Sequence, residues 1–199
     1  MTDTSAARSG ARYLPSCRPG WAEQVADVRF GSHRAARNFY AAIRLASERG
    51  MPLRAQEIAY LACNDRFFLL TVLLRRRDAD HPWLYDRCRE VEFEPDGRLD
   101  LWAREHYKST IITFAGAIQE ILIDPEITIG IFSVTKEVAR PFLSQIKDEL
   151  EGNDVLKGVF PDVLFGEPSK EAPRWSVQDG IVVRRKGNPK EATVEAHGL

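Results

Sequence analysis

Apolar residues recur at helical spacing through the first half of the chain and at strand spacing only in the second. Ala35, Phe39, Ile43 and Ala46 form one helical stripe, with Ser32 as its N-cap and Gly50 as its C-cap. Pro52 fits the first turn of the next helix. Ile58, Leu61 and the run 67–74 would bury against the first helix. Pro82 restarts the chain, and Trp83, Leu84, Arg87 and Cys88 suit another short helix. Residues 32–92 are therefore expected to form a small helical region. Residues 1–20 are rich in Ser, Ala, Arg, Gly and Pro without periodicity, so a flexible tail is expected over 1–31.

Pro95–Asp96–Gly97 is a turn signal, after which the pattern changes to α/β. Leu99 to Trp102 reads as a strand. Lys108 to about Leu122 reads as a helix with Ile111, Ile112, Ala115, Ile118 and Leu122 on its apolar side, broken by Asp124–Pro125. Thr128 to Val134 is a near-continuous apolar run, expected of a strand covered on both faces. Thr135 caps a helix over 136–151 that Gly152–Asn153 ends. Pro141 inside it implies a kink or a later start. Trp175–Val177 and Ile181–Val183 flank Gln178–Asp179–Gly180 as a β-hairpin, and Thr193–Ala196 adds a strand. The order strand–loop–helix–strand–helix predicts right-handed crossovers and an α/β domain over 93–199 with a mostly parallel sheet.

Composition narrows the function without naming it. The 199 residues are 44% hydrophobic and 29% charged, ordinary for a soluble domain. A net charge of −1, from 28 basic and 29 acidic side chains, argues against coating DNA by bulk charge. Cys17, Cys63 and Cys88 show no metal-binding spacing and read as reduced, mostly buried thiols. His33, His81, His106 and His197 show no zinc spacing either. The run 67–74 is far too short to span a membrane. Arg75, Arg76 and Arg77 read as a charged helix end, and Arg184, Arg185 and Lys186 as a solvated hairpin edge. Asp148, Glu149 and Glu151 read as an exposed helix face.

The chemistry concentrates at 102–110. A strand, a tight polar loop and a helix opening on Lys108–Ser109–Thr110 have the layout of a phosphate-binding loop. A helix start offers unpaired N–H groups and the positive dipole end to an anion. Lys108 would reach the β/γ-phosphates, and Ser109, with Thr110 as fallback, would ligate Mg²⁺. The backbone N–H groups of Ala103, Arg104, Glu105, His106 and Tyr107 would line the cradle. Trp102 and Tyr107 stand where glycines are usual. Trp83 and Trp102 could stack on adenine, although core packing is the commoner role of such residues.

The segment WAREHYKST resembles the deviant Walker A motif of the large subunit of tailed-phage terminases, the ATP-driven motors that pump DNA into capsids. The similarity continues through IGIFSVTKEVARPFLSQIKDELEGNDVLKGVFPDVL and APRWSVQDGIVVRRKGNPKEATVEAHGL, covering about residues 81–199. It implies a P-loop NTPase fold of the additional-strand type, with ATP and Mg²⁺ as ligands. Arg104 would be an arginine finger in cis, against the alternative of a salt bridge with Glu105. The implied partners are double-stranded viral DNA, a portal protein and a terminase small subunit, in an oligomeric motor in the host cytoplasm. In that family an acidic Walker B pair, a coupling motif and a nuclease follow, so ATP binding without turnover is expected of residues 1–199. The alternatives are another P-loop translocase or helicase-like ATPase, and a non-catalytic prophage remnant.

Overall fold

The computed structural model describes residues 20–29, 31–48, 55–94, 97 and 99–199. Helix α1 (Trp21–Arg29) precedes α2 (His33–Glu48), α3 (Ala55–Asn64) and the short α4 (Arg66–Phe68). The chain continues from α4 into a π-helical turn, Leu69–Leu73, and a 3₁₀ turn, Arg77–Ala79, leads to α5 (Pro82–Phe93). A second π-helical stretch, Thr110–Gly116, runs into α6 (Ala117–Ile123). Strand β1 (Ile129–Ser133), α7 (Lys136–Gly152), α8 (Asp154–Val159) and α9 (Pro168–Glu171) follow. Strands β2 (Trp175–Ser176), β3 (Gly180–Ile181) and β4 (Val194–Gly198) come last.

Side-chain caps set several of these boundaries. Ser32 Oγ accepts from Ala35 N at 3.3 Å, as expected of an N-cap. His81 Nδ1 accepts from Trp83 N at 3.2 Å, and Pro82 occupies the first turn, where its missing N–H costs nothing. Asn153 Oδ1 accepts from Leu156 N at 3.0 Å and separates α7 from α8. Gly50, Pro52, Pro95 and Asp96 lie outside the described residues.

The helical region differs from its sequence reading at two points. The buried stripe of α2 is Ala36, Tyr40 and Ile43, while Ala35 is exposed. Tyr40 turns inward because its hydroxyl finds a buried acceptor, Asp65. Residues 1–19 lie outside the described residues, and within the span expected as a tail the chain forms α1, where Trp21 and Val25 are buried. The Trp21 indole donates to Glu57 O at 3.2 Å, which pins α1 to α3.

Among the described residues the sheet has four strands in the order β1-β4-β3-β2. Only β1 and β4 are parallel, with Ile131 opposite Ala196; the other two pairings are antiparallel. The protein is mixed α/β with a small mixed sheet, not a mostly parallel one. The hairpin stands where the sequence placed it, and Gly180 takes φ +87° in its turn. The expected strand at Leu99–Trp102 does not form. Leu99 and Leu101 are 81% and 80% exposed, and β1 pairs with β4 alone. A four-residue extended segment without a neighbouring strand leaves its amides to water and has nothing to hold it in a ladder.

Strand β1 is covered on one face, not two. Ile131 points into the core under α7, while Gly130 and Phe132 are exposed. Phe132 stacks on His197, its partner in register, with ring centroids 5.1 Å apart. Helix α7 begins at Lys136 and runs through Pro141, which rules out the later start.

One apolar cluster unites the helical region with the α/β region, so the expected division at residue 92 is not a division of the core. Phe67, Phe68, Leu69 and Leu70 belong with Ile111, Ile118, Ile121 and Leu122, and with Leu143, Ile146 and Leu150. Burying a side chain of this size is worth about 1.5–3 kcal/mol, so the two regions stabilise each other. No described helix is long and apolar enough to cross a membrane.

Candidate functional site

The loop from Leu99 to Lys108 leads into one continuous helical run. Lys108 and Ser109 are helical, Thr110–Gly116 is π-helical, and α6 completes it. Ile111 N bonds back to Tyr107 O at 2.9 Å. The amides of Lys108, Ser109 and Thr110 precede it in the first turn, where a helix has no intrahelical acceptors to offer. The face behind them is firm, since Ile111, Ala115 and Ile118 are fully buried.

The backbone ahead of Lys108 is unusual. Glu105 has φ +65° and Tyr107 has φ +60°, with Arg104, His106 and Lys108 on the ordinary negative side. Left-handed conformation at a non-glycine residue costs roughly 1–2 kcal/mol. Alternation of hand turns successive N–H groups to one side and makes a concave anion-binding nest. Tyr107 thus adopts the conformation that glycine normally supplies at this position, despite its side chain.

The charged candidates surround this turn. Lys108 is exposed, and its Nζ donates to Asp100 O at 3.2 Å. Arg104 is exposed, and among the described residues it pairs with no carboxylate, so the alternative salt bridge with Glu105 is not made. His106 Nδ1 lies 2.8 Å from Arg104 O and closes the turn. Ser109 and Thr110 are half-buried at the helix start. Among the described residues no three His, Cys, Asp or Glu side chains converge on a metal position.

The two tryptophans meet each other. Trp83 lies edge-on to Trp102 at 5.5 Å and to His106 at 5.7 Å, and Arg87 covers a face of Trp83 at 5.6 Å. Trp102 also packs against the core. These contacts brace the loop against α5.

Sequence reasoning did not anticipate what holds Tyr107. Arg76 Nε and Nη2 donate to the two Asp78 carboxylate oxygens at 3.0 and 2.7 Å. The Arg76 guanidinium also lies 5.8 Å from the centre of the Tyr107 ring. Hydrogen bonds from Arg76 hold the Asp78 carboxyl down at about 2, with a further contribution from the Tyr107 hydroxyl. The same contact raises the Tyr107 phenol. The available signal was Arg-x-Asp at the end of the apolar run, read only as a charged helix end. The second basic run is likewise engaged within the chain. Arg184 donates to Leu164 O and to Glu171, and Arg185 donates to Pro189 O and Glu191 O.

A buried polar joint lies behind the loop helix. Arg66 Nε donates to Gln119 Oε1 at 2.9 Å, and Gln119 Nε2 donates to Ala62 O at 2.9 Å. Gly116 leaves room for this, since a Cβ there would come within 3.3 Å of the Arg66 guanidinium. Asp65, fully buried, caps α4 through Phe68 N and accepts from Tyr40 and Arg89. Burial pushes the neighbouring Glu92 carboxyl up against the opposing pull of Arg89. Cys63 and Cys88 are buried free thiols, and burial pushes Cys63 up to about 12. No protein-family model, curated protein or solved structure matches the chain.

Proposed function

We propose that this chain is the ATP-binding part of a terminase large subunit, with a P-loop at Ala103–Thr110. The reading rests on one observation above the rest: Glu105 and Tyr107 are both left-handed immediately before Lys108, at the start of a helix whose inner face is buried. Such a turn gathers N–H donors around an anion. In this reading Lys108 exchanges its bond to Asp100 O for the β/γ-phosphates, and Ser109 ligates Mg²⁺. Arg104, which pairs with no carboxylate among the described residues, stabilises charge developing on the γ-phosphoryl group. Double-stranded DNA, a portal protein and a small subunit follow as partners by resemblance, in an oligomeric motor in the host cytoplasm.

Calorimetry with ATP and Mg²⁺ tests the site. Binding is expected, and Lys108→Ala is expected to abolish it while leaving the fold intact. Equal affinity in the two proteins would remove Lys108 from the site. In any longer form that hydrolyses ATP, Arg104→Ala is expected to lower turnover more than affinity, because a finger acts on the transition state.

A further inference from the structure

The conformation of Tyr107 needs an explanation that its own loop does not contain. A left-handed tyrosine is disfavoured, and the residues on either side are exposed. Its ring is partly buried against the apolar core. The explanation lies thirty residues earlier in the chain, at the end of the buried run 67–74. There Arg75 itself turns left-handed, at φ +56°, and Arg76 N donates to Leu70 O at 3.0 Å. Leu70 is fully buried, so the backbone of Arg76 is fixed to the core. Its side chain then grips Asp78 through two hydrogen bonds and lies over the Tyr107 ring.

We infer that Arg76 and Asp78 act as a clamp on Tyr107 and so set the conformation of the 104–108 turn. Arg76 and Asp78 are positioning residues, acting on the turn through Tyr107. This inference deepens the nucleotide-loop reading and rests on it only for the identity of the ligand. The clamp replaces backbone freedom with a side-chain anchor. Glycine reaches the left-handed region without help but also leaves it readily. Tyrosine enters it at a cost, and the ring contact with Arg76, itself fixed by Asp78, holds it there. The Arg76 guanidinium faces the ring, and its two hydrogen bonds to Asp78 keep it there. A further consequence is that the helical region controls the loop: whatever moves the 77–79 turn moves Tyr107.

The test separates the clamp from its ligand. Amide hydrogen exchange of residues 104–109 is measured in the full chain for wild type, Arg76→Gln, Asp78→Asn and Tyr107→Gly, alongside calorimetry with ATP and Mg²⁺. Loss of one charge-assisted bond corresponds to about a tenfold faster local opening. Arg76→Gln and Asp78→Asn are each expected to show that acceleration in 104–109 with the 117–123 amides unchanged, and Asp78→Glu is expected to restore part of the protection. Tyr107→Gly is expected to exchange at least as fast, although its backbone strain is relieved. Unchanged exchange in Arg76→Gln and Asp78→Asn overturns the clamp. Slower exchange in Tyr107→Gly overturns it too, since strain would then be the main term. Faster exchange in a protein that binds no ATP supports the clamp and sinks the nucleotide reading instead. Where ATP does bind, the same two variants are expected to weaken it several-fold through a preorganisation lost, with Lys108→Ala as the control for the site.

Discussion

Arg66 and Gln119, 53 residues apart in sequence, share a buried hydrogen bond of 2.9 Å between the helical region and the helix that follows the loop. Gln119 completes the joint through Ala62 O at 2.9 Å. Both side chains are nearly inaccessible, at 6% and 3% exposure. The loop helix is therefore fixed from behind by a polar contact as well as by apolar packing.

Gln119→Leu keeps the volume but leaves Arg66 Nε and Ala62 O without their partner. An unsatisfied buried polar group costs about 1–3 kcal/mol. The denaturant midpoint is expected to fall accordingly, with an unchanged slope. A midpoint equal to wild type would show that Arg66 and Ala62 O find other partners.

Asp65→Asn should be more damaging. Asp65 is fully buried and answers Arg89, Tyr40 and the Phe68 amide at once. Breaking one side of a buried pair costs about 3–5 kcal/mol, because the remaining charge stays desolvated. Thermal unfolding is the readout, and a loss under about 1 kcal/mol would mean that the charge of Asp65 is dispensable.

The segment 99–102 offers a contrasting control. With Leu101 at 80% exposure, Leu101→Ser is expected to change stability by no more than about 0.5 kcal/mol. Ile118→Ala, at a fully buried site, is expected to cost about 2–5 kcal/mol. A large loss from Leu101→Ser would restore the strand that the sequence suggested.

Alkaline pH should destabilise the protein through its thiols. Burial holds Cys63 near 12 and raises Cys88 as well. The folded pKa of Cys63 lies above the unfolded value of about 8.5. Its contribution to stability is full below the unfolded value and is lost as pH rises towards 12. In a Cys17→Ser background, thiol labelling at pH 8 is expected to follow unfolding. Rapid labelling of native protein would contradict the burial.

The candidate site was legible in sequence as far as Lys108, Ser109 and Thr110 at a helix start, because capping and dipole arguments are local. The same holds for the helix begun at Ser32, the hairpin around Gly180 and the passage from α7 to α8 at Asn153. Each depends on groups within a few residues of one another. The alternation of hand at Glu105 and Tyr107 was not legible, since neither residue favours it intrinsically. Its support comes from Arg76, held by Asp78, which only folding brings beside Tyr107.

Periodicity by itself determined that this chain has helices before residue 94 and mixed helix and strand after it, because the spacing of apolar residues records which face each element must bury. Tertiary structure alone decided which of those faces found a partner. Leu99–Trp102 carries a strand pattern and stays unpaired, since a strand is made by its neighbour and β1 offers its ladder to β4. Phe132 belongs to an apolar run yet lies exposed beside His197, since burial depends on what packs over it. Asp65, Arg66 and Gln119 are polar in sequence and buried in the fold, since hydrogen bonds from residues up to 57 positions away compensate their desolvation.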